Sequence, residues 1–402
     1  MLSLHRRLTL VVLLWVFGVE VSSGPLFAEV SYFPIPAISS SKNDGNDIGL
    51  IVPILESKPD GTLTSLTAPM VIHNSLLGVR GTFNYFKYWS AGRELEFVGS
   101  LTEEIERKIK LRYSDPGFIH GLFAVDVGAQ FFKNATDRFF GFGQTSPENA
   151  ETNYTAKEFV VDVNFGLYLN EVTRVSLLQR YRQVEIQRGG VDTLPFTGSS
   201  FGGTAGLGGA SILGHRLVFH YDTRDNLTTP TAGLRFTAYA ELNQNFQRES
   251  TDDPLSFKYG VDIRKLFPTP SKRAVLVVRG NIQLTFGDGI PFYERSSLGG
   301  ENNLRGFGED RFIDKHLVVV NIEERFHVFG MNMFNVNTEF EIAPFVDMGR
   351  VYNTFNYRQF NEYEITPGIG FRGIVRPNLV GRVDWGLSKD GGAVFAGLDY
   401  PF

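Results

Sequence analysis

Apolar and polar residues alternate with a period of two in many parts of the chain. Over residues 339–349 the acidic side chains share one parity, and the opposite parity is apolar, with Phe340, Ile342, Val346 and Met348. Over residues 317–326 one parity likewise carries Asn321, Glu323 and Arg325. Because successive side chains of a β-strand point to opposite faces, this pattern predicts strands with one apolar and one polar face.

Strand-length segments of this kind recur along the chain, separated by turn signals. We predict sixteen strands, at residues 47–55, 76–87, 93–101, 104–114, 118–132, 155–169, 171–187, 208–221, 232–243, 255–267, 273–286, 315–328, 338–352, 362–373, 378–387 and 392–402. Long loops, at 133–154, 188–207, 244–254, 287–314 and 353–361, alternate with tight turns. An even number of antiparallel strands, with long loops at one end and short turns at the other, is typical of outer-membrane barrels. The predicted fold is therefore all-β, a transmembrane antiparallel β-barrel of about sixteen strands.

Glu324 breaks the alternation, because it falls on the apolar face of its strand. A charge facing lipid is costly away from the membrane interface. We expect Glu324 either to lie near a rim of the barrel or to follow a bulge that shifts the register.

The composition agrees with a barrel and excludes several other classes of protein. The chain contains 36 Phe, 15 Tyr and 43 Gly residues, and no Cys. The absence of cysteine excludes disulfides, thiolate metal sites and a cysteine nucleophile. A formal net charge of −5, with no basic block, makes nucleic acid an unexpected partner. We expect no cofactor and no metal site.

The N-terminus has the pattern of a secretory signal peptide. His5, Arg6 and Arg7 precede the apolar run 8–19, which is shorter than the ~20 residues of a membrane-spanning helix. We predict a signal peptide over residues 1–28, cleaved after residue 23 or 28, then a short periplasmic lead-in at 29–46 and the barrel at 47–402. No later stretch is apolar and long enough for a helical span.

The loop at 287–314 is far longer than the 2–5 residues usual in hairpins, and it is Gly-rich. It contains Gly299-Gly300 and Leu304-Arg305-Gly306-Phe307, and the next two strands carry Glu323 and Asp347 at the polar parity. This pattern suggests a loop packed inside the barrel and held by charge pairs. Together with Phe345-Val346-Asp347-Met348-Gly349, these residues resemble the signature of the BamA/TamA outer-membrane family, the bacterial surface antigen barrel.

The resemblance implies that this extracellular loop folds back into the barrel. It assigns Arg305 to the loop tip, flanked by Leu304, Gly306 and Phe307, and assigns Glu323 and Asp347 to the acids that hold it. Such a buried pair is a structural lock, since an arginine offers five donors to carboxylates. It is not catalytic chemistry.

Three further segments resemble elements of the same family. Tyr221-Asp222-Thr223-Arg224-Asp225-Asn226 is similar to a periplasmic hairpin braced by Asp222, Arg224 and Asp225. Residues 138–144 are similar to a Phe-Tyr-Gly-x-Gly loop. Leu398, Tyr400 and Phe402 alternate up to the C-terminus and resemble the signal by which outer-membrane barrels are recognised for assembly. Their shared parity predicts that all three face lipid.

The family implies a role in inserting or transporting proteins or lipids at the bacterial outer membrane. Its periplasmic POTRA modules have no room at 29–46, so we expect a member without them. The expected partners are outer-membrane lipid and, in an assembly role, periplasmic or barrel client proteins. The alternative is a passive pore or structural surface barrel without insertase activity. We do not expect an enzyme: Gly198-Ser199-Ser200-Phe201-Gly202 matches a nucleophile elbow, but no helix is predicted after it.

Overall fold

The structure, a computed structural model, describes residues 29–32, 34–59, 62–247, 254–271, 273–333, 336–354, 362–376 and 379–402. The predicted signal peptide therefore lies outside the described residues. Within the described part of the chain, no helix has the length and apolar character needed to cross a membrane.

The alternating segments form long strands. They are β1 (Glu29–Tyr32), β2 (Ile35–Ser41), β3 (Gly45–Ile51), β4 (Ile54–Ser57), β5 (Leu63–Asn74), β6 (Gly78–Tyr88), β7 (Glu94–Thr102), β8 (Arg107–Phe118), β9 (Phe123–Phe139), β10 (Thr152–Asn170), β11 (Thr173–Arg188), β12 (Ala210–Asp222), β13 (Gly233–Asn245), β14 (Leu255–Pro268), β15 (Ala274–Phe286), β16 (Ser296–Leu298), β17 (Phe312–Asp314), β18 (His316–Met333), β19 (Val336–Tyr352), β20 (Glu364–Val375), β21 (Leu379–Ser388) and β22 (Gly391–Leu398). The helical elements among the described residues are single turns, of which α1 (Thr197–Ser200) is α-helical.

Twenty of these strands form one antiparallel sheet, and β16 and β17 form a separate small hairpin. Each strand of the large sheet pairs with its neighbours in chain order, for example β18 with β15 and β19. β3 and β4 form one interrupted strand, because both pair with β5. β1 and β2 likewise form one interrupted strand, because β1 pairs with β4 and β2 pairs with β3. The described sheet therefore has eighteen strand positions.

The sheet curls so that its two ends meet. β22 pairs with β21 on one side and lies against β2 on the other. Lys42, after β2, donates a hydrogen bond of 2.9 Å to the carbonyl of Asp390, before β22. The long connections 140–151, 189–209 and 287–315 lie at this end of the sheet, which we call the loop end. The described ends of the connections β13–β14 and β19–β20 lie there too. The other end, with its shorter connections, is the turn end.

Fifteen of the predicted strands correspond to β6–β15 and β18–β22, and the first predicted strand covers β3 and β4. Two strand positions were missed, so the predicted number of sixteen is too low for the described sheet. One is β5, in which Pro69 interrupts the alternation. Pro69 lies beside the gap between β3 and β4, where its carbonyl accepts a hydrogen bond from the amide of Val52. A proline lacks the amide hydrogen of a ladder, so a strand that contains one is hard to predict.

The second missed position lies in residues 29–46, which we predicted as a periplasmic lead-in. β1 and β2 instead belong to the sheet, with Pro36 opposite Leu50. Pro34 and Pro36 suggested an irregular segment. β2 lies at the end of the sheet, where a missing amide hydrogen is tolerated.

The two faces of the sheet differ as the alternation predicts. Ile322, Val346, Phe371 and Trp385 are exposed on the outer face, whereas Asn321, Glu323, Asp347 and Asp384 are fully buried inside. Glu324 lies on the outer face, opposite Leu276 near the first residues of β15. A bulge occurs later, between His327 and Phe329. Glu324 therefore lies near the rim formed by the start of β15, which is the first of the two expected explanations.

Residues 287–315, which we call the inner loop, occupy the interior of the sheet. An apolar cluster joins the loop to the wall, formed by Leu298, Leu304, Phe307, Phe312, Leu317, Val319 and Val351. A second cluster packs Phe292 and Ile313 of the loop against Phe139, Tyr154 and Ala156 of β9 and β10. The core therefore lies inside the sheet and includes the loop.

The C-terminus departs from the prediction. Leu398 is exposed on the outer face, but Tyr400 and Phe402 turn inward: the hydroxyl of Tyr400 donates to Glu341 at 3.0 Å, and Phe402 packs on Leu266, Val275 and Val277. β22 ends at Leu398 because Asp399 adopts a φ of 63° and Pro401 has no amide hydrogen for a ladder. The prediction that all three face lipid is wrong for the last two.

Candidate functional site

The tip of the inner loop reaches the wall formed by β18–β21. Gly306 has no room for a side chain, since a Cβ atom there would meet the carbonyl of Leu387 and the methyl group of Thr366. Leu304 and Phe307, on either side, are completely buried. Two apolar anchors and one close backbone approach therefore fix the position of Arg305.

Arg305 contacts both acids that the resemblance assigned to it. Its Nε and terminal nitrogen donate to the two carboxylate oxygens of Asp347 at 2.8 and 2.9 Å. The other terminal nitrogen donates to Glu323 at 2.6 Å, and the backbone amide of Arg305 donates to Asp347 at 3.1 Å. All three side chains are 0% exposed. A two-point pair of this kind fixes both the position and the orientation of the loop tip.

Burial alone would favour the neutral form of Arg305. The carboxylates of Asp347 and Glu323 outweigh that desolvation and raise the pKa of Arg305 above its ordinary value. The guanidinium also stacks on Phe345, with its central carbon 3.5 Å from the ring centroid, and lies 5.2 Å from that of Phe402. Phe402, which we predicted to face lipid, thus lies beside Arg305 in the interior.

A larger charge network surrounds this pair. Asp384 accepts from Arg372 at 2.7 Å and from Arg382 at 2.9 Å, and Glu323 also accepts from Arg325 at 2.8 Å. With Glu301, which accepts from Arg382, the cluster contains four arginines and four carboxylates: Arg305, Arg325, Arg372, Arg382, Glu301, Glu323, Asp347 and Asp384. Sequence reasoning missed five of the eight.

A second anchor, on the opposite side of the loop, was also missed. Glu294 accepts from Arg182 at 2.6 Å and from Arg180 at 3.1 Å, and Lys258 donates to its backbone carbonyl at 2.8 Å. Burial would raise the pKa of Glu294, but the cations of Arg180, Arg182 and Lys258 hold it well below its ordinary value. The loop therefore presents the carboxylate of Glu294 to cations of one wall, and the guanidinium of Arg305 to carboxylates of the other.

A third set of contacts closes the loop end. Arg311 donates to Asp390 at 2.5 Å and to the carbonyl of Ser146 at 3.0 Å. Gln144, in the predicted loop motif 138–144, accepts from the amide of Val351 at 2.9 Å. Arg138, from the same motif, donates to Glu151 at 3.0 Å. The amide of Gly143 donates to the carbonyl of Ile313 at 2.9 Å, so the motif at 138–144 contacts the inner loop.

The predicted hairpin brace lies at the turn end. Arg224 binds both carboxylate oxygens of Asp222, at 3.0 and 2.7 Å. Asp225 accepts from the backbone and the hydroxyl of Thr231, at 2.8 and 2.5 Å. The three residues therefore fold the connection 223–232 rather than line the interior near Arg305.

The Gly-x-Ser-x-Gly match does not have the strand–turn–helix structure of a nucleophile elbow. Ser200 lies on the single turn α1, which is preceded by a loop rather than by a strand. Among the described residues, no group of three or more His, Cys, Asp or Glu side chains is placed to hold a metal ion.

The model of the Omp85 superfamily domain matches residues 87–373, well over half of the chain. The chain belongs to the Omp85 superfamily. This membership confirms the resemblance to BamA and TamA. A search of curated proteins found no match.

Solved structures support the same fold. The chain is 15% identical to BamA from Haemophilus ducreyi lacking POTRA domains 1–3, with a TM-score of 0.58 over 90% of this chain and 74% of that one. It is 11% identical to CdiB from Escherichia coli, with a TM-score of 0.56 over 96% of this chain and 67% of that one. CdiB from Acinetobacter baumannii is similar at 13% identity, with a TM-score of 0.50 over 96% of this chain and 64% of that one. This Omp85 chain is therefore an outer-membrane barrel.

Proposed function

We propose that this Omp85 barrel assists the insertion or transport of proteins or lipids at the outer membrane and performs no enzymatic reaction. The observation that carries the proposal is the inner loop, bound at both walls by buried charge pairs through Arg305 and Glu294. A pore that only conducts would not need its interior occupied by a loop with oppositely charged anchors.

The first test is the conductance of the refolded protein in planar bilayers. We expect a nearly closed wild type and an open Arg305→Ala variant, because the variant releases the loop tip. Arg376→Ala is the control, since this arginine is only partly buried and lies at the turn end, away from the loop. Large and steady conductance in both the wild type and Arg305→Ala would contradict a loop that closes the interior and would favour a pore.

The second test concerns assembly directly. Liposomes that contain the wild type should speed the folding of a second, unfolded outer-membrane barrel relative to empty liposomes. Liposomes with an equal amount of an unrelated outer-membrane barrel provide the control for packing defects in the lipid. Equal folding rates in all three would remove the assembly role, and the alternative of a passive or structural barrel would then stand.

A further inference from the structure

Three arginines lie side by side on the inner face of neighbouring strands near the turn end. Arg235 of β13 is directly opposite Arg264 of β14, which is directly opposite Arg279 of β15. Two observations place the row on the inner face. Arg235 has the same parity as Glu241, which binds Arg180 inside the barrel. Arg279 donates to the carbonyl of Asn302 in the inner loop. We call these three residues the arginine row.

The row lacks two compensating charges, because its three arginines share one carboxylate, Asp262. Asp262 binds Arg264 and Arg279, each at 2.7 Å, and Asp222 is held by Arg224. In the described part of the chain, no carboxylate forms an ion pair with Arg235. Like charges directly opposite each other destabilise a sheet, so an unpaired arginine beside a second one is unfavourable unless an anion lies near it.

We propose that the arginine row binds a phosphate group between Arg235 and Arg264. Neighbouring strands are about 4.8 Å apart, so one phosphate can accept hydrogen bonds from both guanidinium groups. A phosphate also carries up to two negative charges, which matches a site where Asp262 already neutralises part of the row. Arg235 is only half-buried, which leaves part of its side chain accessible to an ion.

The proposal does not depend on the assembly role. The arginine row lies near the turn end of the sheet, and two sources of phosphate are considered: free phosphate and a lipid headgroup. Both sources present the same phosphate oxygens to the arginines, and the experiment separates them.

The test is calorimetric titration of inorganic phosphate into the full refolded barrel in maltoside micelles, at constant ionic strength. We expect one saturable site, at least tenfold weaker in Arg235→Gln and partly retained in Arg235→Lys. Arg112→Gln is the matched control, because Arg112 is an interior arginine on β8, 3.7 Å from Asp126 on the far wall. The absence of a saturable site, or equal weakening by Arg112→Gln, would overturn the proposal.

Thermal unfolding gives a second readout that separates binding from folding. Without phosphate, Arg235→Gln should unfold at the same temperature as the wild type or higher, because it removes a repulsion. Phosphate should raise the midpoint of the wild type and not that of Arg235→Gln. A variant less stable than the wild type in phosphate-free buffer would show that Arg235 is a structural residue and would contradict the site.

Competition identifies the source of the phosphate. Lysophosphatidylglycerol that displaces inorganic phosphate at a much lower concentration would identify a lipid headgroup as the ligand. Displacement only at concentrations equal to or above that of inorganic phosphate would identify free phosphate. Both results retain the phosphate site, and displacement by lysophosphatidylglycerol that persists in Arg235→Gln would contradict it.

Discussion

The carbonyl oxygen of Arg305 lies against the backbone of Gly386, in the space that a Cβ atom of residue 386 would occupy. The inner loop and β21 therefore touch through their backbones. This contact places Arg305 deep enough to reach Asp347 and Glu323. The charge pair and the close approach consequently depend on each other.

The first prediction concerns this contact. Gly386→Ala should displace the loop tip, because the added methyl group would meet the backbone carbonyl of Arg305, which cannot move as a side-chain end can. Overpacking of this kind costs about 1–3 kcal/mol. Since the chain contains no Cys, Thr366→Cys under the tip provides a single labelling site, and its rate of maleimide labelling reports tip release. We expect the rate to rise in Gly386→Ala.

Gly373→Ala is the matched control. Gly373 lies on β20, the strand before β21. A Cβ atom at Gly373 would lie 4.0 Å from the nearest heavy atom, so the methyl group fits. If both variants label at the rate of the parent, the loop tip does not depend on the contact with Gly386.

The second prediction concerns the buried pair. Asp347→Asn leaves Arg305 without its two-point partner while preserving the shape of the side chain. Removing one partner of a buried pair costs about 3–5 kcal/mol, because the other charge is uncompensated. We expect the urea midpoint of unfolding in micelles to fall, and tryptophan fluorescence measures that unfolding.

Glu185→Gln tests whether burial, rather than charge pairing, causes that effect. Glu185 binds Lys157 at 2.9 Å, but both side chains are largely exposed. Exposed pairs contribute little, so its urea midpoint should stay close to that of the wild type. Equal shifts in both variants would show that burial of the Arg305 pair adds nothing.

The pattern of the sequence suggested a loop held by charge pairs, and the family resemblance assigned Arg305, Glu323 and Asp347 to those pairs. The alternation also predicted which of their faces points inward. Asp384 and Arg372 were missed although they also point inward. A period of two predicts which face a side chain is on, but it does not predict which residues of neighbouring strands lie opposite each other. The register that brings Asp384 to Arg305 follows from pairings across β19, β20 and β21.

Glu294 was missed for another reason. Its partners Arg180 and Arg182 precede it by more than a hundred residues, on a strand across the interior. The error at Tyr400 and Phe402 is local: alternation was extended past Leu398, although Pro401 cannot continue a ladder. Local patterns thus predicted the strands and their faces, whereas contacts across the interior required the folded chain.

The third prediction separates the two anchors. Glu294→Gln leaves Arg180, Arg182 and Lys258 facing a neutral side chain, so the first half of the inner loop should loosen. Ser296→Cys, at a buried position beside this anchor, should label faster, whereas Thr366→Cys under the tip should label at an unchanged rate. Arg305→Ala should produce the reverse pattern. If each variant accelerates both sites equally, the loop is released as one unit.

The last prediction concerns pH. Desolvation inside the barrel and the neighbouring carboxylates of Asp310, Glu301 and Asp44 raise the pKa of Glu309 from its ordinary value of 4.5 to about 7. Burial also raises the pKa of Asp310. A carboxyl with a raised pKa binds its proton more tightly in the folded chain, so it favours the folded state at low pH, and this advantage is lost as pH rises from about 4.5 through about 7.

We therefore expect the urea midpoint of the wild type to fall between about pH 4.5 and about pH 7, and Glu309→Gln to reduce that fall. Glu294 does not interfere, because its lowered pKa keeps it charged throughout this window. Glu148→Gln provides the control, since Glu148 lies in an outer loop, 3.8 Å from Lys42, with its side chain 56% exposed. A midpoint that falls equally in the wild type, Glu148→Gln and Glu309→Gln would assign the pH dependence to other groups, such as Asp310.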